Sequence, residues 1–293
     1  MADKPSDGDG RLAIIAGSGS LPVYLASAAR EAGENPVIVV LKDEVLRDWS
    51  AYDHALLGVG DFKGFEALFD RYDVRRIVMS GSVARRPEWR EIRPTWQSMV
   101  KMPRVVKTLL SGGDDTVLKM VIGLLEVKGR RVIGAHDIAP DLLATTGTLG
   151  RHKPSDEDLR DIRQAARAAD ALGMLDVGQG AVSVGGRIVA LEGAEGTDQM
   201  IERVAGLRAA GRISQRRRGV LVKLCKPQQD LRADLPSIGV STITNARDAG
   251  LGGIAVEAGR ALILDRKATI AAADEAGLFV FGIDRGLPSG GLQ

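Results

Sequence analysis

Arg11-Leu-Ala-Ile-Ile-Ala-Gly-Ser-Gly-Ser20 is the stretch that indicates the fold most directly. Its apolar run predicts a short buried strand, and the Gly-Ser-Gly-Ser segment predicts a tight turn. A helical pattern over residues 21–31 and a second apolar run, Val37–Leu41, follow. Strand, turn, helix and strand in this order form a βαβ unit, so the sequence predicts a parallel sheet.

Two further strand patterns extend this sheet, over residues 54–58 and 76–79. Ser80-Gly-Ser82 follows the second of them, just as Gly17-Ser-Gly-Ser20 follows the first strand of the chain. Because ligands bind outside the carboxyl ends of parallel strands, the two small-residue turns favour a binding site, although Gly17 and Gly19 could equally serve only to make a tight turn. The other elements predicted in this half are helices over residues 62–72, 95–110 and 114–126 and a strand over 132–133.

The second half predicts another α/β domain, with a mixed sheet. Residues 180–184 and 187–191 are typical of a β-hairpin, because the intervening Gly185-Gly186 fits a primed turn. Ser155 and Asp158 form a capping box before a helix over residues 155–173. The remaining predictions are strands over 219–225, 253–256, 261–264 (as a hairpin strand) and 278–281, and helices over 199–210, 241–249 and 266–276.

These patterns divide the chain into five segments. The predicted order is a disordered tail (1–10), a Rossmann-like domain with a mainly parallel sheet (11–134), a linker (135–154), a mixed-sheet α/β domain (155–287) and a loose tail (288–293). A length of 293 residues allows two domains of ordinary size. The substrate cleft is expected between them.

Composition narrows the possible functions. The formal net charge is only +2, and the basic run Arg216-Arg-Arg218 has no interleaved aromatic residues, so nucleic-acid binding is not predicted. Cys225 is the only cysteine, which excludes an internal disulfide and fits a reducing compartment. No apolar run approaches the roughly 18 residues that span a bilayer. The N-terminus lacks the apolar core of a signal peptide.

The strand predicted over residues 219–225 ends in a concentration of polar groups. Lys226-Pro227 ends the strand, because proline cannot donate to a sheet ladder. Lys223 and Lys226 place two ammonium groups here, where they can stabilise negative charge on phosphate oxygens.

Carboxylates follow in the same segment, with Asp230 and Asp234 on either side of Arg232. Carboxylate oxygens bind Mg²⁺ or Mn²⁺, and such an ion neutralises phosphate oxygens and lowers the pKa of bound water. A salt-bridged loop around Arg232 is the purely structural interpretation. The mixture of cations and carboxylates favours a metal-assisted reaction, with Asp230 and Asp234 as candidate metal ligands.

Missing motifs exclude several other chemistries. The sequence contains neither a Gly-x4-Gly-Lys-Ser/Thr phosphate loop nor a Gly-x-Ser-x-Gly nucleophile elbow. Three histidines, at positions 54, 136 and 152, are too few for a histidine-rich two-metal centre. With a single cysteine, His-Cys zinc sites are excluded as well.

Six segments together resemble the LpxI-type UDP-2,3-diacylglucosamine hydrolases, over about residues 11–282. The segments are Ile15-Ala-Gly-Ser-Gly-Ser-Leu-Pro22, Gly81-Ser-Val-Ala-Arg-Arg-Pro87, Gly113-Asp-Asp115, Glu195-Gly-Thr-Asp198, Lys226-Pro-Gln-Gln-Asp-Leu-Arg-Ala-Asp-Leu-Pro236 and Gly253-Ile-Ala-Val-Glu257. The resemblance implies a cytoplasmic enzyme of lipid A synthesis, peripheral to the inner membrane of a Gram-negative bacterium. It would hydrolyse the pyrophosphate of UDP-2,3-diacylglucosamine to 2,3-diacylglucosamine 1-phosphate (lipid X) and UMP. Water would attack the β-phosphorus with Mg²⁺ or Mn²⁺, and homodimers are implied.

The resemblance also implies roles for particular residues. Asp230 matches the essential aspartate of the family and would hold the metal or orient the attacking water, while Asp234 would support the ion or Arg232. Lys223 and Lys226 would stabilise charge on the pyrophosphate. The residues expected to contact the substrate are Gly17, Ser18, Ser80, Gly81, Ser82, Thr146, Gly147, Thr148, Glu195, Thr197, Asp198, Gln229 and Arg232.

Other interpretations of the same residues stay open. Thr197 and Asp198 can cap the helix predicted from residue 199. The Gly17-Ser-Gly loop with Asp43 could serve a nicotinamide-dependent oxidoreductase, although the dinucleotide fingerprint has a third glycine where this chain has Pro22. A non-catalytic protein that binds a lipid or sugar nucleotide would retain its ligand without turnover.

Overall fold

The computed structural model describes residues 10–42, 47–83 and 114–285, without the side chains of residues 114 and 115. Several of the predictions lie outside the described residues. They are Asp43, the helix predicted over residues 95–110 within the undescribed segment 84–113, most of the first predicted tail (residues 1–9) and all of the second. The chain divides into two compact units. The first comprises Met1–Pro140 together with Asp230–Asp234, and the second comprises Asp141–Gln229 and Leu235–Gln293.

The first unit contains a five-stranded parallel sheet in the order β3-β2-β1-β4-β5. Its strands are β1 (Arg11–Ala16), β2 (Val37–Leu41), β3 (Asp53–Leu57), β4 (Val74–Ser80) and β5 (Arg131–Ile133). Its described helices are α1 (Leu21–Glu31), α2 (Phe62–Arg71), α3 (Asp114–Leu125) and α4 (Ala135–Ile138). The predicted Rossmann-like domain with a mainly parallel sheet is therefore confirmed.

Strand β1 is buried on both faces, as expected for the centre of a parallel sheet. Ala13 and Ile15 pack in one cluster with Phe65 of α2. Leu12 and Ile14 alternate with them and are also buried. This packing fixes the carboxyl end of β1, where the first glycine-rich turn begins.

The second unit contains a six-stranded mixed sheet in the order β6-β13-β11-β9-β7-β8. Its strands are β6 (Gly147–Thr148), β7 (Gly180–Val184), β8 (Arg187–Leu191), β9 (Val220–Lys223), β11 (Gly253–Glu257) and β13 (Phe279–Ile283). Strands β9, β11 and β13 are parallel, whereas the β6–β13, β7–β8 and β7–β9 pairs are antiparallel. The predicted mixed sheet is confirmed.

Helices cover both faces of this second sheet. They are α5 (Asp156–Met174), α6 (Gly196–Ala209), α7 (Val240–Asp248) and α8 (Arg266–Glu275). Val222 packs with Ile162 of α5 on one face, while Leu221 packs with Met200 of α6 and Ile243 of α7 on the other. The alternation along β9 explains why its sequence is continuously apolar.

The predicted hairpin and capping box are confirmed. Gly185 and Gly186 have φ values of 60° and 80°, as a primed turn requires. Both glycine N–H groups donate to the carboxylate of Asp161 in α5, at 2.9 and 2.6 Å. Ser155 accepts from the backbone of Asp158, whose side chain accepts in return from the backbone of Ser155.

The hairpin predicted for residues 261–264 is wrong. Strand β12 (Leu262–Ile263) pairs in parallel with β10 (Ser237–Ile238) in a separate two-stranded sheet. Leu262 donates to the carbonyl of Pro236 at 2.8 Å, and Leu264 donates to that of Ile238 at 2.9 Å. Strand β12 thus pairs with a strand that is distant in the sequence, β10, and not with the strand before it, β11.

The predicted helix cap at Thr197 and Asp198 is also wrong. Helix α6 begins at Gly196 with Glu195 in the N-cap position, so both residues lie within the first turn. The Thr197 hydroxyl donates instead to the buried carboxylate of Glu192, at 2.5 Å.

The segment predicted as a linker, residues 135–154, contains secondary structure. It includes α4, a 3₁₀ turn over Pro140–Leu142 and strand β6. Among the described residues, no helix is both long and apolar enough to cross a membrane.

Candidate functional site

The two predicted small-residue turns of the first unit lie side by side, because β1 and β4 are neighbours in the sheet. Gly17 donates to the carbonyl of Ser80 at 2.8 Å. Ser18 and Ser82 exchange backbone hydrogen bonds of 2.8 and 3.1 Å. The order β3-β2-β1-β4 changes direction between β1 and β4, and this is the position where open α/β sheets bind ligands.

Glycine is required where these turns meet. A Cβ atom on Gly17 would lie 2.4 Å from the carbonyl oxygen of Ser82. One on Gly81 would lie 2.3 Å from the carbonyl oxygen of Ser18, and Gly81 has a φ of +84°. Close backbone approach therefore explains both glycines, whether or not a phosphate binds beside them.

Ser80 offers a polar group at this junction. The residue is 5% exposed, and its hydroxyl has no hydrogen-bond partner among the residues that the structure describes. Ser20, in the N-cap position of α1, makes no side-chain capping bond. Buried polar groups normally have partners, so a ligand oxygen at this edge would complete the hydrogen bonding of Ser80.

We expect Gly17→Ala to damage this junction, since its Cβ would collide with the Ser82 carbonyl. Overpacking of this kind costs about 1–3 kcal/mol. The variant should unfold at lower urea concentration and bind its substrate more weakly, as a higher KM would report. Gly58→Ala is the matched control, because a Cβ there meets nothing within 4 Å and its φ is not positive. Equal stability and KM in both variants would contradict the assignment.

The Asp230–Asp234 segment forms a turn within the first unit. Asp234 donates its N–H to the carbonyl of Asp230 at 3.2 Å, so both carboxylates leave the same turn. Asp230 accepts from the Arg232 side chain at both oxygens, at 3.0 and 2.8 Å. Arg232 also contacts Glu126, after α3, at 2.9 Å. The predicted Asp230–Arg232 association is thus present, and Glu126 extends it.

Asp230 is held in its ionised form. The hydrogen bonds from Arg232 lower the pKa of the Asp230 carboxyl, and the positive charge of Lys119 on α3 lowers it further. The side chain is 15% exposed, so the carboxylate is shielded but reaches the surface. An ionised carboxylate of this kind can bind a cation or orient a water molecule.

The Asp230–Asp234 turn fits Mg²⁺ as a partial ligand set. Two carboxylates leave one turn. Asp230 Oδ1 accepts from both the backbone N–H and Nε of Arg232, whereas Oδ2 accepts from Nη2 alone and retains a lone pair. Within the described ranges, no group of three His, Cys, Asp or Glu side chains could hold a metal ion. Mg²⁺ commonly uses one or two carboxylates and completes its shell with water and substrate phosphate, so this donor set suits it.

In the second unit the predicted residues come to one edge of the sheet. The carboxyl ends of β8, β9, β11 and β13 and the amino ends of β6 and β7 share this edge, because β6 and β7 run in the opposite direction. One row of hydrogen-bonded neighbours crosses it through Gly147, Gly282, Val256, Lys223, Gly180 and Glu192.

The two lysines of this edge differ in environment. Lys223 is 6% exposed and donates to the carbonyl of Ser237 at 3.0 Å. The Lys226 side chain is 16% exposed and pairs with Asp176 at 2.8 Å. Gln229 accepts from the Lys226 N–H at 3.0 Å, so its buried side chain shapes the loop. Lys226 is the more accessible cation for a substrate.

The remaining predicted contacts flank the lysines on this edge. Gly147 and Thr148 form β6 beside β13 and are partly exposed. Beyond β8, Glu195 pairs with Arg203 at 3.1 Å. Asp198 accepts from Asn245 at 3.0 Å. Thr146 precedes β6 and is exposed. Their predicted roles in substrate binding stay predictions.

Sequence reasoning assigned no role to two buried carboxylates on this edge. Glu192 follows β8 and accepts from Thr197 and from the Gln179 N–H. Glu257 ends β11 and accepts from the Cys225 N–H at 3.1 Å. Both lie at the carboxyl ends of apolar strands, which is the same signal that identified Lys226.

Fold and sites together define an α/β protein with two compact units, each carrying polar groups at the carboxyl ends of parallel strands. The profile of the LpxI N-terminal domain matches residues 11–142, and that of the LpxI C-terminal domain matches residues 145–281. The chain belongs to the LpxI family.

A curated relative supports this assignment. The UDP-2,3-diacylglucosamine pyrophosphatase LpxI of Caulobacter vibrioides is 42% identical over 277 residues, which cover 94% of this chain and 98% of that protein. A solved structure titled "Crystal Structure of Isoflavone Reductase" matches at 12% identity over 95% of this chain and 80% of its own, with a TM-score of 0.23. A TM-score this low carries no argument, so the nicotinamide alternative gains no support from it.

Proposed function

We propose that this protein hydrolyses the pyrophosphate bond of UDP-2,3-diacylglucosamine to 2,3-diacylglucosamine 1-phosphate and UMP. The observation that carries the proposal is the match to a pyrophosphatase over nearly the full length of both chains. The models of the LpxI N-terminal and C-terminal domains both match this chain, which supports the same proposal. The alternatives of an oxidoreductase or a non-catalytic binding protein have no comparable support.

Asp230 is the residue to which we assign the central role. Its lowered pKa keeps it ionised at neutral pH, so it can orient a water molecule or bind a cation. Asp234, on the same turn, would assist it. Mg²⁺ or Mn²⁺, when held there, would neutralise phosphate oxygens and increase the acidity of water.

The second unit supplies cations for the diphosphate. Lys226 is partly exposed at the carboxyl edge of the sheet, where its ammonium group can contact a phosphate oxygen. Its partner Asp176 is about one-third exposed, so a phosphate oxygen can compete with that carboxylate for the ammonium group. Lys223, being buried, would act mainly by its charge.

The direct test is to incubate the purified protein with UDP-2,3-diacylglucosamine and to measure UMP and the lipid 1-phosphate. We expect equal amounts of the two products with Mg²⁺, and loss of turnover when EDTA removes divalent ions. Substrate retained without turnover at any metal concentration would favour a binding protein and contradict the proposal. Saturable NADH binding would favour the oxidoreductase.

We further propose that the enzyme works in the cytoplasm at an anionic membrane surface. Met174, Leu175 and Val177 form a run of exposed apolar side chains at the C-terminal end of α5, with 67%, 74% and 51% exposure. Arg167 and Arg160 are exposed one and two heptads before Met174, on the same helical face. An apolar tip beside a basic face suits the boundary of an anionic lipid layer.

Vesicle sedimentation tests this membrane contact. Replacing Met174, Leu175 and Val177 with serine should reduce pelleting with anionic phospholipid vesicles by about tenfold, because each replacement removes apolar surface that the lipid layer would bury. Leu56→Ser, which alters a comparably exposed residue of the first unit, should pellet like the wild type. Unchanged pelleting of the triple variant would place the membrane contact elsewhere.

A homodimer is the assembly that the family resemblance implies, and we propose it for this chain. Sedimentation equilibrium measures the mass in solution directly. A mass near that of one 31.1 kDa chain at all concentrations would contradict it.

A further inference from the structure

Glu257 is a buried charge whose partners come from three strand ends. Its side chain is 3% exposed at the carboxyl end of β11. It accepts from the Cys225 N–H after β9 at 3.1 Å. Arg260, after β11, lies 3.4 Å from one carboxylate oxygen, and Arg285, after β13, lies 3.4 Å from the other.

A chain of hydrogen bonds leads from Glu257 to the backbone N–H of Lys226, the residue whose ammonium group pairs with Asp176. Glu257 holds the backbone N–H of Cys225, and the Cys225 thiol donates to the Gln229 side-chain oxygen at 3.3 Å. The same oxygen accepts from the Lys226 N–H at 3.0 Å. The loop between β9 and the Asp230 turn is therefore fixed by these side-chain bonds together with two backbone bonds, from Leu224 to the carbonyl of Gln179 and from Gln229 to that of Lys226.

Stability alone does not explain a carboxylate at this position. Burying a charge is costly, and replacing a buried ion pair with well-packed apolar groups is often neutral or stabilising. Glu257 also receives only long contacts from its two arginines, whereas its bond to Cys225 has ordinary geometry. The bond to the loop is thus its best-formed interaction.

We propose that Glu257 is a positioning residue that fixes the loop over residues 224–229, and through it the ammonium group of Lys226. The catalytic part of this inference rests on the proposed function, because fixing the position of the Lys226 ammonium group affects the reaction only if a phosphate binds beside it. Its structural part, the ordering of the loop, stands independently of any activity.

Cys225 provides a readout of loop order that does not depend on activity. It is the only cysteine in the sequence and is 2% exposed. Glu257→Gln keeps an acceptor but removes the charge, so the hydrogen bond to the loop weakens by about half. We expect Cys225 to react with a thiol reagent about tenfold faster than in the wild type, because loop opening exposes it.

Asp161→Asn is the matched control, since Asp161 is equally buried and also accepts from backbone N–H groups of a turn. It is hydrogen-bonded to the hairpin turn, not to the Cys225 loop, and should change the labelling rate by less than about twofold. Equal labelling rates in wild type and Glu257→Gln would overturn the proposal, as would equal acceleration in both variants. If Glu257→Gln does not fold, Glu257→Asp should show a smaller acceleration in the same direction.

Kinetics test the catalytic part of the proposal. Glu257→Gln should raise KM about tenfold, and its effect should largely disappear when Lys226 is already replaced by methionine. Additive effects of the two changes, or an unchanged KM in folded Glu257→Gln, would overturn the positioning role. A wild-type protein that releases no UMP would refute the proposed function, while thiol labelling would still decide whether Glu257 orders the loop.

Discussion

Replacing Asp230 with alanine should lower the rate of UMP release about 10³-fold, the loss typical of removing a group that acts on a transferred proton or an attacking water. The carboxylate is partly exposed, and the hydrogen bonds from Arg232 and the charge of Lys119 lower its pKa and keep it ionised. Steady-state assays at saturating substrate measure the effect as a change in kcat.

Asp248→Ala is the control for this change. Asp248 also pairs with an adjacent arginine, Arg247, at 2.8 Å, but it is exposed at the end of α7. The control should retain wild-type kcat. Wild-type UMP release from folded Asp230→Ala would contradict the assigned role.

The pH dependence follows from the lowered pKa of Asp230. A group with a folded-state pKa below its unfolded value stabilises the protein above the unfolded pKa and loses that contribution as pH falls through the folded pKa. Arg232 lowers the pKa of Asp230, so its ionised form persists at neutral pH and is lost only in acid. Asp230 should therefore cause no loss of activity near pH 7.

Replacing Arg208 with alanine should destabilise the second unit by about 3 kcal/mol or more, because the buried side chain and all of its hydrogen bonds are lost. The residue is 7% exposed, and its guanidinium donates to the carbonyls of Ala249, Ser214, Arg217 and Arg218. These bonds attach the loop before β9 to the end of α7. Urea unfolding measures the loss of stability.

Two further variants serve as comparisons for Arg208→Ala. Arg208→Lys keeps the charge but not the planar fork, so it should recover only part of the stability. Arg212→Ala removes an exposed arginine of the adjacent turn and should change the free energy of unfolding by less than about 0.5 kcal/mol. Equal stability of Arg208→Ala and Arg212→Ala would contradict the structural role of Arg208.

Local patterns were sufficient to predict most elements. Helix α1 (Leu21–Glu31) and both strands of the hairpin have the predicted bounds. The spacing of apolar residues and the glycines near the ends of these segments locate the boundaries to within a few residues. The pairing of β12 with β10 was not predicted. Its hydrogen bonds join residues far apart in sequence, and no local pattern encodes them.

The geometry of the sites depends on the same non-local information. Ser80 lies beside Gly17 because β4 pairs with β1, and the strand order cannot be read from either strand alone. The contact of Arg232 with Glu126 joins residues separated by 106 positions. The residue types of the sites and the local Asp230–Arg232 pair were therefore predictable, whereas the partners distant in sequence were not.

We expect water to cleave the pyrophosphate at the β-phosphorus, in a reaction that needs Asp230. Turnover of UDP-2,3-diacylglucosamine in ¹⁸O-water, followed by mass spectrometry of both products, measures where the water oxygen goes. We expect one ¹⁸O atom in 2,3-diacylglucosamine 1-phosphate and none in UMP. Label in UMP, or no products from the wild-type protein, would contradict it.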